Sequence, residues 1–194
     1  MLWLLVIVAA AQQAPKHAAG FQLGEGEWQQ LDKPLAAHSE ISAANRAALL
    51  HVLAPELADV PSFPTPIQRA SQTLVKFIDL NGDGVPEVIA KTVGDACSPT
   101  GNCSVYVFQK IGTKYREILE GDAQNIRIQK TRTNGYLDVV VGMHGSATEQ
   151  GLFVYQFSKG QYWRTHCYIA SFSYTDKNGE VHELEEARIT PCQK

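Results

Sequence analysis

The feature that most constrains the fold is a long succession of short apolar runs that begins at residue 73. The runs are rich in Val, Ile, Tyr and Phe, and glycine-bearing turns separate them. Alternation of apolar and polar residues is typical of strands that bury one face. The pattern predicts eight strands between residues 73 and 169. A last hairpin is expected around Asn178 and Gly179, which suit a turn with positive φ.

The predicted strands contain a weak internal repeat. The segment NGDGVPEVIA aligns with RTNGYLDVVV, and SVYVFQKIGTKYRE aligns with GLFVYQFSKGQYWR, so that Glu87 matches Asp138. Each copy has about fifty residues, the length of a four-stranded meander. We therefore expect a mainly β fold of two four-stranded antiparallel meander repeats, residues 73–120 and 125–169, arranged as a sandwich or partly open barrel.

The residues at the N-terminus divide into two parts. Residues 1–11, MLWLLVIVAAA, are apolar and end in small residues, which predicts a cleaved signal peptide. An uncleaved anchor is the alternative, and we expect membrane association only if this segment is retained. Residues 12–37 show no sustained period, and we interpret them as a flexible arm.

Residues 38–72 are expected to hold one N-terminal α-helix and a Pro-rich connector, before a β domain that spans residues 73–194. The run ISAANRAALLHVLA places its apolar residues along one face, and either Ser39 or Ser42 can cap the helix. Pro55 disfavours helical conformation in the residue before it, so the helix is expected to end there. We expect the helix to cover an open edge or end of the sheets.

Four cysteines indicate paired disulfides in an oxidising compartment, and hence a secreted or periplasmic protein. Of the three possible connectivities we favour Cys97 with Cys103 and Cys167 with Cys192. The first pair brackets SPTGN, whose proline and glycine mark a turn, and the second would fasten the C-terminal tail. A cysteine metal site is disfavoured because no CxxC pair occurs. The net charge of −3 disfavours a nucleic-acid partner.

The segment DLNGDGVPEVIA places oxygen-bearing side chains at alternate positions of a tight turn. Asp79, Asn81, Asp83 and Glu87, with the carbonyl of Val85, could supply the six to eight oxygens that calcium requires. An EF-hand is excluded because its twelfth position is Ala90 and because Pro86 would break the exiting helix. The alternative is an Asx-rich hairpin turn without metal.

This segment resembles the calcium hairpin of FG-GAP and VCBS-type repeats, which occur in integrin-like propellers and secreted bacterial proteins. The resemblance implies that Asp79, Asn81, Asp83 and Glu87 bind calcium within a β-repeat scaffold that recognises a partner. Glu87 stands where Asp is usual in the family. Because the chain has only two copies, a full propeller is not implied. The second half also resembles exported bacterial proteins.

The second copy is predicted to bind no calcium. Lys130 and Arg132 stand where the first copy has Asp79 and Asn81. A further hypothesis is that Lys130 places its charge where the metal would lie and thereby neutralises Asp138.

The best candidate for catalysis is the segment MHGSATEQG, which puts His144, Ser146 and Glu149 close in sequence. It lacks the GxSxG pattern of a hydrolase, so hydrogen bonds within a loop are the favoured interpretation. We therefore expect a binding or envelope-associated module without catalytic activity, with a protein or carbohydrate ligand. A secreted hydrolase that uses these three residues is the alternative.

Overall fold

The computed structural model of the protein describes residues 26–58 and 65–192. The predicted signal peptide, residues 12–25 of the predicted arm and residues 59–64 of the predicted connector lie outside the described residues.

Ten strands in the described part of the chain form two antiparallel sheets. The first sheet has four strands in sequence order: β2 (Leu74–Ile78), β3 (Glu87–Lys91), β4 (Cys103–Ile111) and β5 (Lys114–Ala123). The second sheet has six strands in the order β1-β6-β7-β8-β9-β10: β1 (Gly26–Gln29), β6 (Asn125–Thr133), β7 (Tyr136–Ser146), β8 (Glu149–Ser158), β9 (Gln161–Thr175) and β10 (Val181–Pro191).

The two sheets face each other across one apolar core. Alternate residues of each strand point into it, which is why the sequence alternates along these segments. The buried residues from the first sheet and its loops are Leu80, Ile89, Val105, Val107, Ile118, Leu119 and Ala123, and those from the second are Ile126, Ile128, Val139, Val141 and Tyr162. The mainly β, sandwich-like architecture predicted from the sequence is thus confirmed.

Two helices, α1 (Ala43–Glu56) and α2 (Pro66–Gln72), cover the outer face of the first sheet. The residues buried beneath and between them are Leu35, Leu49, Leu53, Leu57, Ala70, Val75, Val88, Ala90, Tyr106, Phe108 and Tyr115. Strand β3 is consequently buried on both faces, which explains its continuous apolar run. The helices therefore cover a sheet face, and the prediction that a helix covers an edge or end was wrong.

The prediction of one helix was also wrong. Ser42 caps α1 as expected by accepting from the Asn45 backbone N–H at 3.2 Å, but the helix continues to Glu56. Pro55 lies in its last turn, where a proline removes only one helical hydrogen bond. Helix α2 begins at Pro66 with Thr65 as its cap, a favourable N-terminal arrangement in a segment that we had assigned to an extended connector.

The described part of the predicted arm, residues 26–37, is ordered differently from the prediction, and the second sheet has more strands than the four of the predicted meander. Strand β1 pairs with β6, and β10 pairs with β9, so the second sheet gains a strand at each edge. Leu35, within the predicted arm, is fully buried against the helices. A strand of four residues is too short to produce a recognisable period in the sequence.

The structure pairs Cys97 with Cys103 and Cys167 with Cys192, the connectivity favoured from the sequence. The second bridge ties the end of β10 to β9, and the Cys192 backbone N–H donates to the Cys167 carbonyl at 3.0 Å. Two disulfides are typical of proteins that fold in an oxidising environment. None of the helices within residues 26–58 and 65–192 is long and apolar enough to cross a membrane.

The two bridges are predicted to differ in their effect on stability. Replacing Cys167 and Cys192 with Ser opens a separation of 25 residues, whereas replacing Cys97 and Cys103 opens one of 6. In the chain-entropy model the first double variant should lose between about 3 and 4 kcal/mol of unfolding free energy, and the second about 2 kcal/mol. Urea unfolding measures both losses. An equal or larger loss for the Cys97 and Cys103 variant would contradict the prediction.

Candidate functional site

The candidate calcium loop, residues 79–87, comprises the turn from β2 to β3 and the first residue of β3, at one end of the first sheet. Ile78 and Glu87 are paired across the two strands, so the loop leaves and re-enters the sheet at neighbouring positions. Gly82 and Gly84 have φ of +81° and +82°, a conformation that side chains disfavour. The glycines of NGDG thus allow the chain to turn back within this short loop.

Two of the carboxylates hold the turn together by accepting backbone hydrogen bonds. The oxygens of Asp79 accept from the N–H groups of Gly82 at 2.7 Å and Gly84 at 2.9 Å. Asp83 accepts from the N–H of Val85 at 2.7 Å. The bond from Gly84 is the largest cause that lowers the pKa of Asp79. Part of the alternating polar pattern therefore shapes the loop itself, as Asx turns do.

Several polar groups converge on the side chain of Asn81. Its Nδ2 atom lies 2.9 Å from Oδ2 of Asp83, 3.2 Å from Oε1 of Glu87 and 3.3 Å from the hydroxyl of Tyr136. A carboxylate from the middle of the loop and one from the first residue of β3 thus reach the same atom, together with a hydroxyl from the second sheet.

Glu87 is the buried member of this group, with 1% of its surface exposed. Its Oε2 atom accepts from the Leu80 N–H at 2.8 Å. Burial raises the pKa of its carboxyl above the ordinary value of 4.5, and the negative charges of Asp83 and Asp79 raise it further. The loop therefore holds a carboxylate whose charge is unfavourable unless a cation or hydrogen-bond donors offset it.

The loop is attached to the second sheet through the carbonyl of Leu80. This oxygen accepts from the Leu137 N–H at 2.8 Å and from Nη1 of Arg132 at 3.0 Å. The same Nη1 atom donates to the Gly135 carbonyl at 2.7 Å. The turn between β6 and β7 thus lies directly against the loop.

Tyr136 adds a second connection between the loop and the second sheet. Its ring stacks on Phe157 with ring centroids 3.6 Å apart, and its hydroxyl accepts from both Asn81 and Gln109. Tyr136 was not among the residues predicted for the site. The repeat alignment could have indicated its role, because it matches Tyr136 with Val85 and so places Tyr136 in the corresponding turn of the second copy.

Asp138, the residue aligned with Glu87, is also buried, with 5% of its surface exposed. Its Oδ2 atom accepts from Thr131 at 2.8 Å and from Gln156 at 3.3 Å. Two neutral side chains thus donate hydrogen bonds to this carboxylate, and its neutralisation by Lys130 stays a prediction.

The loop residues fit calcium in the type of their oxygens, since carboxylates, an amide and a main-chain carbonyl are the ligands that it prefers. Among the described residues, one set of three carboxylate or imidazole groups has its possible ligand atoms all within 4.8 Å: Asp176 and Glu180 in the β9–β10 turn, and His182 in β10. The carboxylates of the calcium loop are more widely spaced than those of this set. Both oxygens of Asp79 accept hydrogen bonds from backbone N–H groups.

The three residues considered for catalysis form separate contacts. The backbone N–H of His144 donates to Asn102 at 2.7 Å. Ser146 Oγ accepts from the Thr148 N–H at 3.3 Å, and Glu149 accepts from Ser171 at 3.4 Å. In the part of the chain that the structure describes, no hydrogen bond joins these three side chains to one another, as a nucleophile, base and orienting acid would require.

Comparison of the chain with known protein families, with curated proteins and with solved structures finds no match.

Tyr136→Phe should lower the unfolding free energy by about 1 to 2 kcal/mol, because the Asn81 and Gln109 donors both lose their acceptor. Tyr115→Phe is the control, since Tyr115 is a buried tyrosine that packs in the other core and does not contact the loop, whereas Tyr136 is partly buried. Urea unfolding of the two variants measures the difference. Equal losses would show that the Tyr136 hydroxyl does not contribute to the attachment of the loop.

Proposed function

We propose that the chain is an exported β-repeat module that binds one structural calcium ion in the calcium loop and recognises a protein or carbohydrate partner. The observation that carries the proposal is the convergence of the Asp83 and Glu87 carboxylates beside Asn81 and Tyr136. A turn without metal does not require a buried carboxylate flanked by two further acids. A divalent cation would offset these charges.

The residues proposed to hold calcium are Asp79, Asn81, Asp83 and Glu87, with the main-chain carbonyl of Val85. The ion would supply positive charge and ligand bonds, and no chemical step is assigned to it. Because the loop also contacts Arg132 and Tyr136, a bound ion would strengthen the attachment between the sheets as well as the hairpin itself. Calcium modules outside cells bind their ion at about 10⁻⁴ to 10⁻³ M.

We also propose that the two sheets contain two degenerate copies of one four-stranded meander. Strands β2–β5 and strands β6–β9 each follow one another as antiparallel neighbours. Glu87 and Asp138, which the alignment pairs, are both buried acids. This arrangement supports the resemblance to FG-GAP and VCBS-type repeats, and the two disulfides support export to a secreted or periplasmic location.

A binding role follows by analogy with repeats whose sheets form a scaffold and whose loops contact a partner. Trp163, with 51% of its surface exposed, is an aromatic side chain in β9 that could contact a sugar or a protein. Tyr106, Phe108 and Tyr162, which could also have formed such a platform, are instead buried in the cores.

Calcium is predicted to raise the melting temperature of the wild-type protein relative to chelator, and Asp83→Ala should abolish this rise. At a calcium concentration a hundredfold above the dissociation constant, binding would add about 2.7 kcal/mol of stability. The conservative variant Asp83→Asn should reduce the rise, because a neutral amide is a weaker calcium ligand.

Asp95→Asn is the control for this experiment, since Asp95 is an exposed acid in the next loop of the same sheet. It should retain the wild-type response. Equal melting temperatures of the wild-type protein in calcium and in chelator would remove the calcium proposal.

The calcium-induced rise in melting temperature should also depend on pH. Because the pKa of Glu87 is raised in the folded protein, the folded state takes up a proton more readily than the unfolded chain does, and the calcium-free protein gains stability as pH falls through that pKa. Calcium requires the ionised carboxylate, so its effect should shrink as the pH falls from neutral towards the ordinary carboxyl pKa of 4.5. Melting curves with calcium and with chelator across this range test the prediction. A constant difference would contradict it.

A further inference from the structure

Arg132 brings a positive charge from the second sheet to the calcium loop. Its guanidinium bridges the Leu80 carbonyl of the loop, at 3.0 Å, and the Gly135 carbonyl of the β6–β7 turn, at 2.7 Å. A Cβ atom built on Gly82 would lie 3.9 Å from both Nη1 and Nη2, so the guanidinium also flanks the glycine turn. Its charge contributes to the lowered pKa of Asp79.

We propose that Arg132 sets the calcium affinity of the loop, as a tethered cation that compensates the negative charge of the loop at Asp79 in the calcium-free protein and opposes binding of the metal. This inference rests on the proposed function. The two hydrogen bonds hold the guanidinium in place, so the arginine remains beside the loop when calcium arrives. Two positive charges attracted by the same carboxylates repel each other, and each weakens the binding of the other.

The signature of this role is a pair of opposite changes. Loss of the Arg132 charge should destabilise the calcium-free protein, because the carboxylates lose their compensation. It should also strengthen calcium binding, because the repulsion is removed. If the residue only supported the shape of the loop, its replacement would lower both the stability of the calcium-free protein and the affinity for calcium. Arg132 is exposed, so solvent screens its charge and the effects should be moderate.

The experiment is calorimetric titration of the full chain with calcium chloride, with melting temperatures measured in chelator. Arg132→Gln and Arg132→Met should bind calcium about three- to tenfold more tightly than the wild-type protein and should melt at a lower temperature in chelator. Arg132→Lys, which keeps the charge, should bind with nearly wild-type affinity. Lys130→Gln is the matched control, since it removes the same charge from an exposed position of the same strand and should change the affinity less than about twofold.

The outcomes distinguish a failure of the inference alone from a failure of the proposed calcium site. If the wild-type protein binds calcium and the neutral Arg132 variants bind it no more tightly, the inference is wrong and the calcium site stands. Equal tightening in Lys130→Gln also overturns the inference, since net charge would then explain the effect. If only the neutral Arg132 variants bind, the inference is supported. If neither they nor the wild-type protein binds, the calcium site and the inference both fail.

Discussion

The burial of Leu80 between the two sheets is the constraint on which the arrangement of the calcium loop depends. Leu80 is fully buried and belongs to the core that both sheets share. Its carbonyl accepts two hydrogen bonds from the second sheet, and its N–H donates to Glu87. The polar residues on either side of it, Asp79 and Asn81, consequently remain half-buried at the rim of the core, where they can meet a cation from solvent.

The same constraint explains why charge accumulates at this point. Strand β3 is buried on both faces, so Glu87, its first residue, is placed where water cannot solvate its carboxylate. Asp83 approaches the same Asn81 nitrogen as Glu87 does. Positive charge beside these carboxylates comes from backbone N–H groups, from the Asn81 amide and from the Arg132 guanidinium. The proposed calcium ion would supply the remainder, which is why a structural role follows more directly from this geometry than a catalytic one.

Local features of the sequence predicted much of the fold. Alternation and glycine turns predicted the strands from β2 to β9, Ser42 was one of the two expected caps, and SPTGN predicted the Cys97–Cys103 pairing. Features that depend on contacts between distant residues were not predictable in this way. Strand β1 exists because β6 offers an edge, and α2 begins at a proline that by itself also suits an extended connector. The site also combines local and distant residues. The loop acids are recognisable in the sequence, whereas Arg132 and Tyr136 reach the loop only because the two sheets pack together.

The position of Arg132 relates the two copies to one another. In the alignment it stands where the first copy has Asn81, so the second copy lacks the side-chain oxygen that we propose as a ligand. Because the sheets face each other with these turns at the same rim, the replacing side chain contacts the loop of the first copy. If Arg132 compensates the loop as proposed, the fold of the loop does not depend on metal, since the guanidinium offsets part of its negative charge when calcium is scarce. The expected consequence is a weakly bound ion that adds stability without being required for folding.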